Sequence, residues 1–186
     1  MKRIITLIIL LLTCEVKAQV QLISSGDISI SNHAAISIHG NIIDSGGHIH
    51  IAQSGRIWVN GQGVLMGVLS MQDSANLTMD SVHFLPTSEL LLHHESSINT
   101  TGNLYAAGAT DLFENSGIET GGDLVISESD WNLHDSSMIE SGENILLEGG
   151  TFHTHDQAGI ISQQGLIIAI SFYNSSLLPA HIGFIR

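Results

Sequence analysis

Four histidines stand in two short patterns, His48-Ile49-His50 and His153-Thr154-His155, and Asp156 follows the second. In an extended strand alternate side chains share a face, so each pair would hold two imidazoles side by side. Two imidazoles and a carboxylate are part of the donor set of a zinc-type site. His48, His50, His153, His155 and Asp156 are therefore the candidate metal ligands. The competing reading is structural: if Ile49 and Ile51 face a core, His48 and His50 are the outward half of the same alternation. His93 and His94, being adjacent, would point to opposite faces of a strand. On balance no bound metal and no cofactor is expected.

Catalysis finds less material. Elimination on an acidic sugar wants a cationic base, and Arg56 is the only interior candidate. Hydrolysis wants paired carboxylates. Asp123, Glu128, Asp130 and Glu140 are close in sequence, yet most fall where turns are expected, and acids there serve turns and solubility. Gly121-Gly122-Asp123 and Gly149-Gly150-Thr151 do not complete a calcium-binding nonapeptide. The expectation is no enzyme and no catalytic residue.

Charge narrows the partners. From Gln19 to Arg186 there are 17 Asp or Glu against two basic residues, Arg56 and Arg186. Nucleic acid and anionic membranes call for clustered Lys and Arg, so neither is expected as a partner. At the amino terminus, Lys2 and Arg3 precede an apolar run from Ile4 to Leu12, and Val16-Lys17-Ala18 has the small-residue pattern of a cleavage site. This predicts a signal peptide over 1–18, export, and a single domain over 19–186. The run is too short for a membrane helix, which needs ~20 residues, and no later stretch predicts a span. Lipoprotein processing at Cys14 is the alternative. Cys14 is the only cysteine, so its removal leaves no disulfide and no thiol chemistry.

Apolar pairs at alternate positions are what must position these groups. Ile28 and Ile30 are followed by Ile36 and Ile38, Ile49 and Ile51 by Ile57 and Val59, Leu69 and Met71 by Leu77 and Met79, Val82 and Phe84 by Leu90 and Leu92. Alternation is the period of a strand with one buried face. The stretches between paired strands, such as SNHAA, AQSGR and QDSAN, suit a corner. Leu124, Ile145 and Leu166 recur at one constant interval. A repeat unit of about 21 residues encloses a core only when identical units stack on it. The text predicts an all-β parallel β-helix with coils of about 20–21 residues, about eight in number. A hairpin sandwich is the alternative, but it would not hold a fixed period. Gly26 to Gly46 aligns with Gly122 to Gly142, since Gly-Asp opens both. Between Val64 and Leu104 the pairs do not fit one frame, and with Pro86 there an irregular coil or loop near 79–89 is expected. Residues 166–186 read as a last coil or cap.

Asn115-Ser116-Gly117-Ile118 and Gly121-Gly122-Asp123-Leu124 carry a resemblance. Together with Ser136 to Gly150 they resemble the repeats of filamentous haemagglutinin-type exoproteins, in which a Ser-Gly corner, an Ile and a Gly-Gly-Asp-Leu strand start recur about every twenty residues. The resemblance implies a right-handed parallel β-helix in a secreted adhesin. Neither the family's long amino-terminal secretion domain nor its very long repeat array is visible here. The expectation is an exported or cell-surface, non-catalytic module presenting a solenoid face to cell-surface glycans or proteins through Ser, Asn, His and aromatics such as Trp58 or Tyr105. The open ends of such a fold would allow edge-to-edge self-association. The alternative is a secreted carbohydrate-active or metal-binding β-helix.

Overall fold

The computed structural model describes residues 21–174 and 182–184, with side chains over 21–165. The predicted leader and Cys14 lie outside the described residues. All described strands belong to one sheet, every pairing is parallel, and each strand pairs with its equivalent one coil away. Hairpins are absent among the described residues, which excludes the sandwich. The chain forms an all-β solenoid of about seven turns, and no described helix is long and apolar enough to cross a membrane.

Each coil contributes three strands, so the solenoid has three faces. On the first face the register runs Leu22, Ile42, Gly63, Val82, Leu104, Leu124, Ile145, Leu166. The second runs Ile28, Ile49, Leu69, Leu90, Thr110, Trp131, Phe152, Phe172. The third runs Ile36, Ile57, Leu77, Ile98, Ile118, Ile139, Ile160, Ile182. We number the tiers one to eight along these rows. The step from Leu124 to Ile145, repeated from Ile145 to Leu166, is thus one turn of the coil. Over residues 21–165 the side chains of these rows point inward and stack on their equivalents, with Gly63 the one position that has none. Ile126, Ile145, Trp131 and Phe152 are all essentially inaccessible to solvent, and the last two rings stack at 6.2 Å.

The corner from the second to the third face sets the period. Its length is the same from Ile28 to Ile36, from Ile49 to Ile57, and so on through Phe152 and Ile160. In each such corner the fourth residue donates its N–H to the carbonyl of the first, as Ala75 does to Gln72 at 3.3 Å and Ser137 to His134 at 3.0 Å. The second residue always takes positive φ: Asn32, Gln53, Asp73, His94, Glu114, Asp135 and Asp156 lie between 50° and 63°. Left-handed backbone is costly for residues with a β-carbon. Here it is held by the next tier, whose side chain accepts that residue's N–H: Asp73 from Gln53 at 3.1 Å, Glu114 from His94, and Asp135 from Glu114 at 3.0 Å.

The coil around 79–89 is irregular without protruding: Asn76–Phe84 is one strand whose pairing with Arg56–Leu65 shifts register between Val59 and Gln62, and Leu85 to Ser88 turns before Glu89–Leu92. The confusion of frame has a physical cause. The corner from third to first face is shorter by one between Leu77 and Val82 than elsewhere, and the next corner, containing Pro86, is lengthened. Val82 with Leu90 therefore spans the corner from first to second face and only imitates the spacing of the corner from second to third. The pairing of Gly26 to Gly46 with Gly122 to Gly142 fails for a related reason. Gly26-Asp27 leads into the second face and Gly122-Asp123 into the first, because any corner of this fold favours the same small polar residues.

Candidate functional site

His48 and His50 share the outward side of the second face, alternating with buried Ile49 and Ile51. Their rings converge on one hydroxyl: His48 Nε2 lies 3.0 Å and His50 Nδ1 2.7 Å from Ser70 Oγ. The second pair is placed differently from expectation. The strand Asn144–Thr154 ends before His155, so His153 is an outward strand residue while His155 opens the corner. Asp156 takes that corner's left-handed position. The His153 and His155 rings are parallel within 5°, with centroids 6.2 Å apart.

His155 belongs instead to a stacked column. His93, Phe113, His134 and His155 are each first in their corners, and successive rings lie 4.7, 4.7 and 4.6 Å apart, all within 5° of parallel. A fixed corner repeated once per turn stacks its side chains at the strand spacing, close to the separation aromatic rings favour. Burial holds the His134 imidazole below its ordinary range and His155 adds to the effect, while Asp111, Asp135 and Asp156 oppose it. His93 and His94 are likewise corner residues rather than strand neighbours. Asp73 N–H donates to His94 Nδ1 at 3.3 Å, which puts the His94 proton on Nε2, facing Glu114 Oε1 at 3.7 Å. Asp73, His94 and Glu114 border a shallow groove with Ser74, Glu95 and Asn115. The imidazole sits between the two carboxylates, so the three donors do not converge. Among the described residues no group of three or more His, Cys, Asp or Glu is placed to hold a metal ion.

The acids considered for catalysis are dispersed. Asp123 flanks the first face, where its carboxylate accepts from Asn144 N–H at 3.1 Å and Asn144 Nδ2 at 3.0 Å. Asp130 accepts from the Thr151 hydroxyl, Glu128 sits at a corner with φ of 50°, and Glu140 is outward on the third face. One acid is buried. Asp44 points into the core and accepts N–H bonds from Gly47 and Gly67, both at 2.9 Å. A β-carbon on Gly67 would meet Gly47 O at 1.9 Å, so glycine there permits the approach.

Two outward features were not legible residue by residue. On the third face Arg56 and Trp58 stand beside Asn76 and Thr78, which stand beside Ser97 and Asn99. Trp58 is 65% exposed. The polar groups around it are tied together: Asn76 Nδ2 donates to Ser97 Oγ at 2.9 Å, the Thr78 hydroxyl to Asn76 Oδ1 at 2.9 Å and Asn99 Nδ2 to Ser97 Oγ at 3.3 Å. On the first face the outward row reads Ile23, Ile43, Val64, His83, Tyr105, Val125, Leu146, none of them fully buried. The His83 and Tyr105 rings pack at 4.5 Å. Only the coil register, followed from turn to turn, assembles either feature from the text.

The chain matches no protein-family model, no curated protein and no solved structure. The class that the fold defines is a repeat β-solenoid.

Proposed function

We propose that the protein is an exported, non-catalytic, adhesin-like module whose third face binds glycan around Trp58. One observation carries this reading: an indole that is 65% exposed beside an ordered row of amides and hydroxyls. An aromatic plane offers an apolar platform with a polar edge, and the neighbouring donors and acceptors match sugar hydroxyls. Arg56 adds one positive charge at this spot on an acidic chain, which suits a neutral or weakly acidic sugar. The leader-like amino terminus and the resemblance of the Gly117 to Gly150 repeats to secreted adhesins support export.

The purified protein should be retained by at least one member of a panel of immobilised neutral, pectic and uronic polysaccharides. Trp58→Ala should weaken that retention by about tenfold, roughly 1.4 kcal/mol, while no new reducing ends or unsaturated products appear. Retention that ignores Trp58→Ala would sink the assignment. Turnover that disappears on replacing an acidic pair would promote the carbohydrate-active alternative.

A further inference from the structure

We infer that the first face is an interface between two copies of this chain, packed face to face with their axes antiparallel. The starting point is where the acids are not. The outward positions on the first-face strands carry no Asp or Glu from Ile23 to Leu146, and of the positions just before and after those strands only Asp123 and Glu148 are acidic. The other two faces and their corners carry nearly all the rest. Two molecules of net charge −13 can approach here without bringing their acids together, whereas the other faces would repel.

The row is also complementary to itself when reversed. A two-fold axis across the face, between the tiers of His83 and Tyr105, sets each Tyr105 over the partner's His83. The same operation sets Val64 over the partner's Val125 and Ile43 over the partner's Leu146. Aromatic groups meet at the centre and aliphatic groups of similar size meet outside them, the usual anatomy of a specific interface. The flanking charges select the direction. In the antiparallel arrangement Asp123 faces the partner's Gln62 and Glu148 faces the partner's Ser45. A parallel pair would place Asp123 beside the partner's Glu148. An isologous pair of this kind closes on itself and does not propagate into a fibre.

Size fits a reversible dimer. Six steps of ~4.8 Å along the row and about five residues of ~3.3 Å across it give roughly 500 Å² of flat area on each copy. The total of about 1,000 Å² is at the lower edge for specific association. Such a pairing uses a face, not the solenoid's open ends, and leaves Trp58 free on both copies.

Sedimentation of the purified protein should show a monomer–dimer equilibrium in the range of about 1–100 µM. The double variant H83E/Y105E puts four like charges at the axis and should remain monomeric throughout. Trp58→Glu adds a charge at an exposed aromatic of another face and should dimerise like the parent. Should the double variant fail to fold, cysteine pairing decides: a mixture of V64C and V125C chains should form the crosslinked dimer on mild oxidation, and neither alone should. A parent that stays monomeric at about 100 µM, a dimer indifferent to H83E/Y105E, or efficient V64C self-crosslinking would each overturn the inference.

Discussion

Tiers one to three and tiers four to seven solve the same corners with different chemistry. In the first three, the third-face strands end inward on Ile38, Val59 and Met79; from the fourth they end on Thr100, Thr120, Ser141 and Ser162, all buried. The small residue in the neighbouring corner is Ala34, Gly55 and Ala75 before the change and Ser96, Ser116 and Ser137 after it, until Ala158 ends the run. The ring column begins at the same tier, with His93 following Ser31, Ala52 and Gln72. The buried carboxylate lies on the other side of the change: Asp44 is at the amino-terminal end, in the position that Ile126 fills further on. The change coincides with the coil that is shortened before Val82 and lengthened around Pro86. A third-face strand can thus end on apolar filling or on hydroxyls bonded to carbonyls, as those of Thr100, Thr120, Ser141 and Ser162 are. The slip in register along the chain marks where it passes from one to the other.

The sharpest way to break this comparison is to move the buried acid. Asp44 is tolerated because the Gly47 and Gly67 N–H groups reach it, whereas Ile126 is buried between the apolar Ala106 and Leu147 of the adjoining turns. Ile126→Asp should therefore cost several kcal/mol, a large part of the ~5–15 kcal/mol of a typical domain. Denaturant unfolding would measure it, and a variant as stable as the parent would defeat the difference drawn between the two positions.

A smaller contrast sets the two kinds of polar corner against each other. Asp44→Ala strands the Gly47 and Gly67 N–H groups and should cost roughly 2–6 kcal/mol at about 1–3 kcal/mol for each unpaired group. Ser141 Oγ reaches Gly122 O at 2.8 Å and Asn144 O at 3.0 Å, and Ser141→Ala should cost only about 1 kcal/mol. Equal losses in the two unfolding midpoints would show that the hydroxyl corners matter as much as the buried carboxylate.

The smallest effect concerns acid. The folded His134 imidazole resists protonation relative to its ordinary value of 6.5, so the unfolded chain takes up the proton first. Its contribution favours folding above pH 6.5 and is lost as pH falls through that value and on toward the lower folded one. The melting temperature should decline from about pH 7 to about pH 5, and less so in His134→Phe, which keeps a ring in the stack. Hydrogen exchange should locate the loosening in tiers five to seven. Equal acid loosening in tiers one to three would remove the ring column as its cause.

Much of the solenoid is legible because its strongest regularity is local. The corner of constant length between the second and third faces writes Ile28 with Ile36 and Trp131 with Ile139 at one spacing, and stacking such a unit is the only way to bury its few apolar residues. Three things are not legible. Gly-Asp looks alike at two corners, so Gly26 and Gly122 align in the text though they lead into different faces. A deletion before Val82 and an insertion around Pro86 nearly cancel over one turn, which keeps the turn close to its usual length while displacing the spacing of its apolar pairs. His153-Thr154-His155 passes for one strand because nothing in the triplet announces that Asp156 turns left-handed.

That this chain stacks coils of nearly constant length around apolar rows is written in its residue order, since alternation and period are properties of neighbours along the chain. Which outward residues share a surface depends on how the turns stack. Trp58 meets Thr78, Thr78 meets Asn99, Tyr105 meets His83, and His155 meets His134 because each turn returns the chain one strand spacing away. The length of each individual turn is settled at its corners, by backbone geometry that many small polar residues satisfy equally well.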